Sequence, residues 1–217
     1  MTDFRQDFIR FAAGERALLF GEFVTKAGRV SPYFFNAGEF SSGAALSQLC
    51  EFYAKAIDAA GIRFDMLFGS AYKGIPLAAG VAITYARAGR DIAYSFNRKE
   101  VKDHGEGGVI VGAPLKGRVL IIDDVISAGT SVRESVDIIR GLGAAPCAVA
   151  IALDRMERGR ADHSAIQEVS RDYGIPVVSI ATLEDLITYL RSERSVGQHL
   201  PAVLAYRQRY GLHDHVR

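Results

Sequence analysis

The spacing of apolar residues changes several times along the chain, and each change marks an element. Over residues 3–13, Phe4, Phe8, Ile9 and Phe11 recur at helical spacing, with Thr2 as the candidate cap. Over residues 18–40 the β-leaning stretches "LLFGEFV" and "VSPYFFNAG" flank the turn-like "TKAGR", which predicts short strands forming a hood or hairpin. Over residues 44–60, Leu46, Leu49, Cys50, Tyr53 and Ile57 return every three or four positions, and Gly61 stands where the helix should end.

Beyond Gly61, short apolar runs alternate with helical ones. "DMLFG", "IAYSF", "RVLIID", "CAVAIALD" and "PVVSI" read as strands; "GIPLAAGVAITYARAG", "SVRESVDIIRGLG" and "HSAIQEVSRDYG" read as helices. This alternation predicts an α/β fold, a central mostly parallel sheet flanked by helices, with residues 1–40 contributing a small N-terminal hood. Helical segments over residues 183–191 and 200–210 follow. One stretch breaks the pattern: "NRKEVKDHGEGGVIVGAP", residues 97–114, crowds cations and a histidine against glycines. Polar, glycine-rich connections of this length serve as lids or binding loops, or are plain solvated loops.

Size and charge narrow the classes. A chain of 217 residues, 49% hydrophobic, fits one domain spanning 1–217. The net charge of +1 provides no global field for holding nucleic acid, so a polyanion must be met by local charge. No apolar run reaches the roughly 20 residues of a membrane helix, and "MTDFRQDFIRFAAGE" is too charged for a secretory signal, so the expected location is cytoplasmic. Cys50 and Cys147 are far apart, form no CxxC pattern and read as small core residues.

The chemistry concentrates in "VLIIDDVISAGTS", residues 119–131. A β-forming run that ends in two adjacent carboxylates, Asp123 and Asp124, calls for polar or cationic partners, because neighbouring acids repel and resist burial. In an open parallel sheet, ligands collect beyond the carboxyl ends of the strands. The following small and hydroxylated residues open a helix with Val132, Val136 and Ile139 inward, and such an entrance favours a phosphate. Ser131 and Glu134 also have capping-box spacing. The carboxylates suit ribose hydroxyls behind that phosphate, so one loop can hold both ends of a ribose 5-phosphate. No GxxxxGK is present, and "GLGAAP" at 141–146 follows a helix and not a strand, which disfavours kinase-like and dinucleotide readings. Two solvated turn acids remain an alternative at this point.

The same stretch resembles the binding motif for phosphoribosyl pyrophosphate (PRPP) in the type I phosphoribosyltransferases. "TKAGRVSPYFFNAG", "GSAYKGIPLA", "NRKEVKDHGEGG" and "ALDRMERG" resemble the orotate-specific branch, in the right order over nearly the whole chain. The resemblance implies transfer of a phosphoribosyl group from PRPP to orotate, with Asp123, Asp124, Lys73 and Lys102 catalytic. PRPP would be held by Lys26, Tyr72, Lys73, Arg98, Lys99, Lys102 and His104 with the 123–131 loop, namely Asp123, Asp124, Val125, Ile126, Ser127, Ala128, Gly129, Thr130 and Ser131. Each cation taken singly reads better as an ordinary surface residue, whereas jointly, in these contexts, the binding reading is favoured.

On the base side, the resemblance implies Phe34, Phe35, Ser127 and Arg155 around orotate, with main-chain groups at the two phenylalanines reading the pyrimidine edge, although core packing explains these two as well. Ser127 stands where the family commonly has threonine. Magnesium is the implied cofactor, held mainly by PRPP and water with no direct protein ligand. The implied assembly is a homodimer whose lid, residues 99–108 within 97–114, reaches the neighbouring site. Alternatives are a PRPP-dependent transferase for another base, or a PRPP-sensing regulator of the same fold. His163, His199, His213 and His215 default to the surface.

Overall fold

The computed structural model describes residues 3–25, 28–102, 108–126, 129–159 and 163–212, with residues 100–102 described for the main chain alone. Helix α1 (Phe4–Gly14) is capped by Asp3, whose carboxylate accepts the Arg5 amide, whereas Thr2, the expected cap, lies outside the described residues. An acid in this place also suits the positive end of the helix dipole. Strands β1 (Leu18–Val24) and β2 (Val30–Phe35) pair antiparallel, with Leu18 opposite Phe35 and Phe20 opposite Tyr33. They form the expected hairpin. Helix α2 (Gly43–Ala59) starts at its Ser42 cap and ends against Gly61, whose φ of 65° is a conformation glycine adopts without a steric cost.

The main sheet contains β3 (Met66–Gly69), β4 (Ala93–Lys102), β5 (Gly108–Gly112), β6 (Arg118–Ile122), β7 (Ala145–Asp154) and β8 (Val177–Thr182). Their order is β5-β4-β3-β6-β7-β8, all parallel except β5, which runs antiparallel to β4. Helices α3 (Gly74–Arg87), α4 (Thr130–Gly141) and α5 (Ala165–Tyr173) make the crossovers, and α6 (Leu183–Ser192) and α7 (Leu200–Tyr210) follow β8.

Alternation along the buried strands assigns the helices to faces. Leu67, Leu120, Ile122, Ala148, Ala150 and Ala152 join the core that contains α1, α2, α3, α6, α7 and the hood. Their neighbours Met66, Phe68, Val119, Ile121, Val149 and Ile151 join a second core with Val132, Val136 and Ile139 of α4 and Val169 of α5. Strands covered on both sides this way read as continuous apolar runs, which is why they stand out in the sequence. Cys50 is fully buried, and burial pushes its thiol up to about 12; Cys147 is partly buried and pushed to about 11.

The winding reverses between β3 and β6. From β3 the chain crosses through α3 to β4 on one side, and from β6 it proceeds to β7 and β8 on the other. A crevice at the carboxyl ends of these two central strands follows from that topology.

Residues 97–114 depart from expectation. Most of the presumed loop is an antiparallel pair, with β4 continuing to Lys102 opposite Gly108 and Asn97 facing Ile110. Past Phe96, β4 outruns β3 and pairs with β5 alone, and a stretch open on one side carries Lys, Arg and Glu as a guard against pairing with other chains, so its composition imitates a loop. Residues 103–107 lie outside the described residues.

Glycine determines how closely the turn after β3 approaches β6. A Cβ on Gly74 would overlap the Ile122 carbonyl, and one on Gly69 would overlap the Gly74 carbonyl. Gly74→Ala is therefore expected to cost about 1–3 kcal/mol, lowering the melting temperature by about 2–4 °C for each kcal/mol. Gly141→Ala, at an exposed helix end with nothing nearby to meet, should leave it unchanged or raised. Paired thermal scans of the two variants check the contrast.

Candidate active site

Strand β6 ends at Ile122, and the two residues that follow are Asp123 and Asp124, only 6% and 8% exposed. They are not solvated turn acids. Each carboxylate has been given partners, as burial of charge requires. Asp123 accepts the Asp124 amide on Oδ1 at 2.9 Å and the Ser131 hydroxyl on Oδ2 at 2.8 Å. Asp124 accepts the Val125 amide on Oδ1 at 2.9 Å and pairs through Oδ2 with Lys73 Nζ at 2.8 Å. Their main chain is fixed as well. Tyr53 of α2 donates to the Asp123 carbonyl at 2.7 Å, and the Asp123 and Ala152 amides bond to the Ala150 and Asp124 carbonyls respectively.

Lys73 comes from the turn between β3 and α3 and joins three parts of the molecule. Besides Asp124, its ammonium donates to Asn36 Oδ1 at 3.2 Å, just past the hood. In the same turn the Ala71–Tyr72 peptide is cis, and the Ala71 amide donates to Asn97 Oδ1 of β4 at 3.0 Å. Tyr72 is 69% exposed with Lys99 Nζ 5.4 Å from its ring centre. A tyrosine and two cations thus gather beside the acid pair.

The expected capping box at α4 does not form. Gly129, in the left-handed conformation with φ 69°, takes the cap position and no side chain caps the helix, because the Ser131 hydroxyl is committed to Asp123. The first amides of α4 are left for an anion, next to carboxylates that accept hydroxyl hydrogens. Burial raises Asp123 above the ordinary carboxylate range; the Ser131 and Ser70 hydroxyls oppose this, and the neighbouring Asp124 charge adds to it.

Residues 36–179 match the phosphoribosyl transferase domain. The chain is 63% identical over 214 residues to an orotate phosphoribosyltransferase of Chromobacterium violaceum, covering 99% of this chain and 100% of the relative. It is 64% identical over 212 residues to that of Laribacter hongkongensis, covering 98% and 100%. The chain belongs to the orotate phosphoribosyltransferase family. A crystal structure of the Francisella tularensis orotate phosphoribosyltransferase superposes with a TM-score of 0.85 at 40% identity, covering 94% of this chain and 99% of that one.

Other residues expected from the orotate phosphoribosyltransferase resemblance fall into three groups. Val125, Ile126, Gly129, Thr130 and Ser131 surround the acid pair, and Arg98 lies half-buried in β4 beside Lys99. Lys26, His104, Ser127 and Ala128 lie outside the described residues, as does the Lys102 side chain. Phe34 and Phe35 point opposite ways because strand side chains alternate. Phe34 is 43% exposed and stacks with Phe23; Phe35 is buried against Phe8 and Phe40, so its ring is a core element rather than a pocket wall. Arg155 is mostly buried, bonded to Glu157 and Ser31.

Sequence reading missed Asn36, Ser31, Glu157 and Tyr206, which hold Lys73 and Arg155 directly or through one another. Asn36 and Ser31 sat inside the quoted "VSPYFFNAG" without being singled out; Glu157 and Tyr206 look like ordinary surface residues until the chain is folded. His199 is not a plain surface residue either, since it stacks on Phe20 with ring centres 5.2 Å apart, while His163 is exposed. His213 and His215 lie outside the described residues.

The raised Asp123 carboxyl has a consequence for stability. In the unfolded chain it titrates near the ordinary value of about 3.9, and in the folded chain above it, so the native state binds the proton more tightly. Asp123 consequently subtracts stability as pH rises through the raised value, and Asn at this position has no such charge to bury. Asp123→Asn should melt at or above the temperature of the parent at pH 7, with the gap closing as pH falls toward about 4. Calorimetry at several pH values reads this directly.

Proposed function

We propose that the protein transfers the 5-phosphoribosyl group of PRPP to orotate, giving orotidine 5'-monophosphate and pyrophosphate for pyrimidine nucleotide synthesis. The observation that carries this reading is the buried Asp123–Asp124 pair at the switch point, held by Lys73 and set directly before the uncapped end of α4. An anion-binding helix end alone would suit many phosphates. Two adjacent acids behind it suit a sugar whose hydroxyls donate to them.

The phosphate of PRPP then lies on the α4 amides with the Thr130 and Ser131 region, while Asp123 and Asp124 hold the ribose. Cleavage of the bond between the anomeric carbon and pyrophosphate leaves positive charge on the sugar, which the carboxylates face, and negative charge on the leaving group. Lys73 has three N–H donors and uses two on Asp124 and Asn36, so one remains for a pyrophosphate oxygen. Lys99 and Tyr72 flank the same side, and Lys102 arrives with the 99–108 lid, whose closure also excludes water.

Magnesium fits this site as a substrate-borne ion. All four carboxylate oxygens of the pair already meet protein donors. Bound to the pyrophosphate and ribose oxygens with water, it would neutralise the departing charge.

Assembly as a homodimer sharing the lid, and a cytoplasmic location, belong to the same proposal. They rest on the family resemblance and on the finding that no described helix is long and apolar enough to cross a membrane.

Loss of orotate absorbance on adding PRPP and magnesium tests the reading, with adenine, hypoxanthine and uracil as control bases. Orotate should be consumed and the others spared; turnover of another base in its place, or retardation of DNA with no turnover, would point to the alternatives. Asp124→Asn should reduce kcat by about 100-fold or more, as expected for losing a group placed against transition-state charge. Lys102→Ala should lower kcat as well, and unchanged turnover with unchanged PRPP binding would reject the lid assignment.

A further inference from the structure

Arg155 leaves β7 with one edge of its guanidinium already engaged. Its Nε and Nη2 reach Glu157 Oε1 at 2.7 and 2.6 Å, Nη2 also donates to Ser31 Oγ at 2.9 Å, and the group lies 4.3 Å over the Tyr33 ring. Nη1 has no bond to a described residue. The geometry that folds Arg155 onto a residue two positions away is unusual: Met156 between them has φ 50°, with its amide held by Asp154 Oδ1 at 2.7 Å. A non-glycine residue in that region is kept there only when its surroundings require it.

Glu157 is itself fixed from two further sides. The Tyr206 hydroxyl donates to Oε1 at 2.9 Å, and Arg29 Nη1 reaches Oε2 at 3.4 Å. Arg29 is anchored in turn on the Arg158 carbonyl at 2.9 Å and over the Tyr210 ring. The cluster therefore places two guanidiniums around one carboxylate, with all three side chains about one-fifth exposed. The nearby Asp154 carboxylate is turned to the Met156 amide. Glu157 thus divides its charge between two guanidiniums, and Arg155 keeps Nη1 as a donor that an added anion can take in a half-dry setting.

We infer that Glu157 is a positioning residue that presents Arg155 to the carboxylate of the base. It occupies one edge of the fork and fixes the plane, while Arg29 draws on the same carboxylate so that Arg155 is not fully neutralised. The incoming carboxylate takes the Nη1 donor, beside the Ser31 hydroxyl that Nη2 already meets. A base without a carboxylate leaves Nη1 without an acceptor in this half-dry setting, so the same arrangement discriminates against it. This inference rests on the proposed use of orotate through Arg155.

Steady-state kinetics of Glu157→Gln, Tyr206→Phe, Arg155→Ala and the double variant Arg155→Ala/Glu157→Gln separate the two claims. Glu157→Gln should raise the orotate KM by about 10- to 100-fold, the usual effect of removing the partner that orients a liganding group, with kcat and the PRPP KM nearly unchanged. Tyr206→Phe, which removes one hydrogen bond to Glu157, should raise the same KM by about 3- to 10-fold. In the Arg155→Ala background, Glu157→Gln should add nothing further. If Arg155→Ala raises the orotate KM but folded Glu157→Gln does not, or if its effect is additive or falls equally on PRPP, the positioning role is wrong. If Arg155→Ala itself leaves the orotate KM unchanged, the reading of Arg155 fails first. Should Glu157→Gln not fold, Tyr206→Phe decides, and an unchanged orotate KM there overturns the inference.

Discussion

Placing two consecutive carboxylates at the dry end of a central strand is the constraint around which this molecule is arranged. A buried acid without partners would be too costly to keep, so each oxygen must find a donor. Here the donors come from separate places: the next two amides of the loop, the Ser131 hydroxyl at the start of α4, and Lys73 from the turn after β3. Tyr53 of α2 secures the carbonyl between them. The acids are therefore satisfied only when the fold is complete, and the same contacts that satisfy them aim them at the crevice.

That arrangement requires the β3 turn to approach β6 very closely, which Gly69 and Gly74 permit. It also links the sheet to the hood, since Lys73 bridges Asp124 and Asn36. Arg155 and Ser31 make a second link, from the end of β7 to β2. The acid pair after β6 and Arg155 after β7 are thus tied to the hood by two independent charged contacts.

Much of this was legible in the sequence because doubly covered strands are uniformly apolar and end abruptly, so "VLII" followed by two aspartates marks both an element and its carboxyl end. The helices declared themselves by period. What was not legible has a common cause, namely partners distant in sequence. Residues 97–102 looked like loop since this stretch of β4 extends past β3, pairs with β5 alone and is rich in charges. Ser131 looked like a helix cap because the competing acceptor, Asp123, is eight residues away across a turn. Phe34 and Phe35 were read together for their main chain, and their rings, on neighbouring strand positions, face opposite ways.

The base side illustrates why distance in sequence hides a site but strengthens it once folded. Arg29 and Ser31 come from the hood, Arg155 and Glu157 from the end of β7, and Tyr206 and Tyr210 from α7. The main chain reinforces them: the Arg158 amide donates to the Tyr210 carbonyl, the Leu212 amide to the Met156 carbonyl, and Glu157 bridges Gly211. Residues 156–158 are therefore strapped by the segment following α7 rather than left as a free loop. A guanidinium on a free loop would lose conformational freedom on every binding event, whereas one held by this strap has already lost it during folding. The unusual backbone at Met156 is then understandable as the local conformation that lets one carboxylate serve two arginines while Nη1 of one of them stays open.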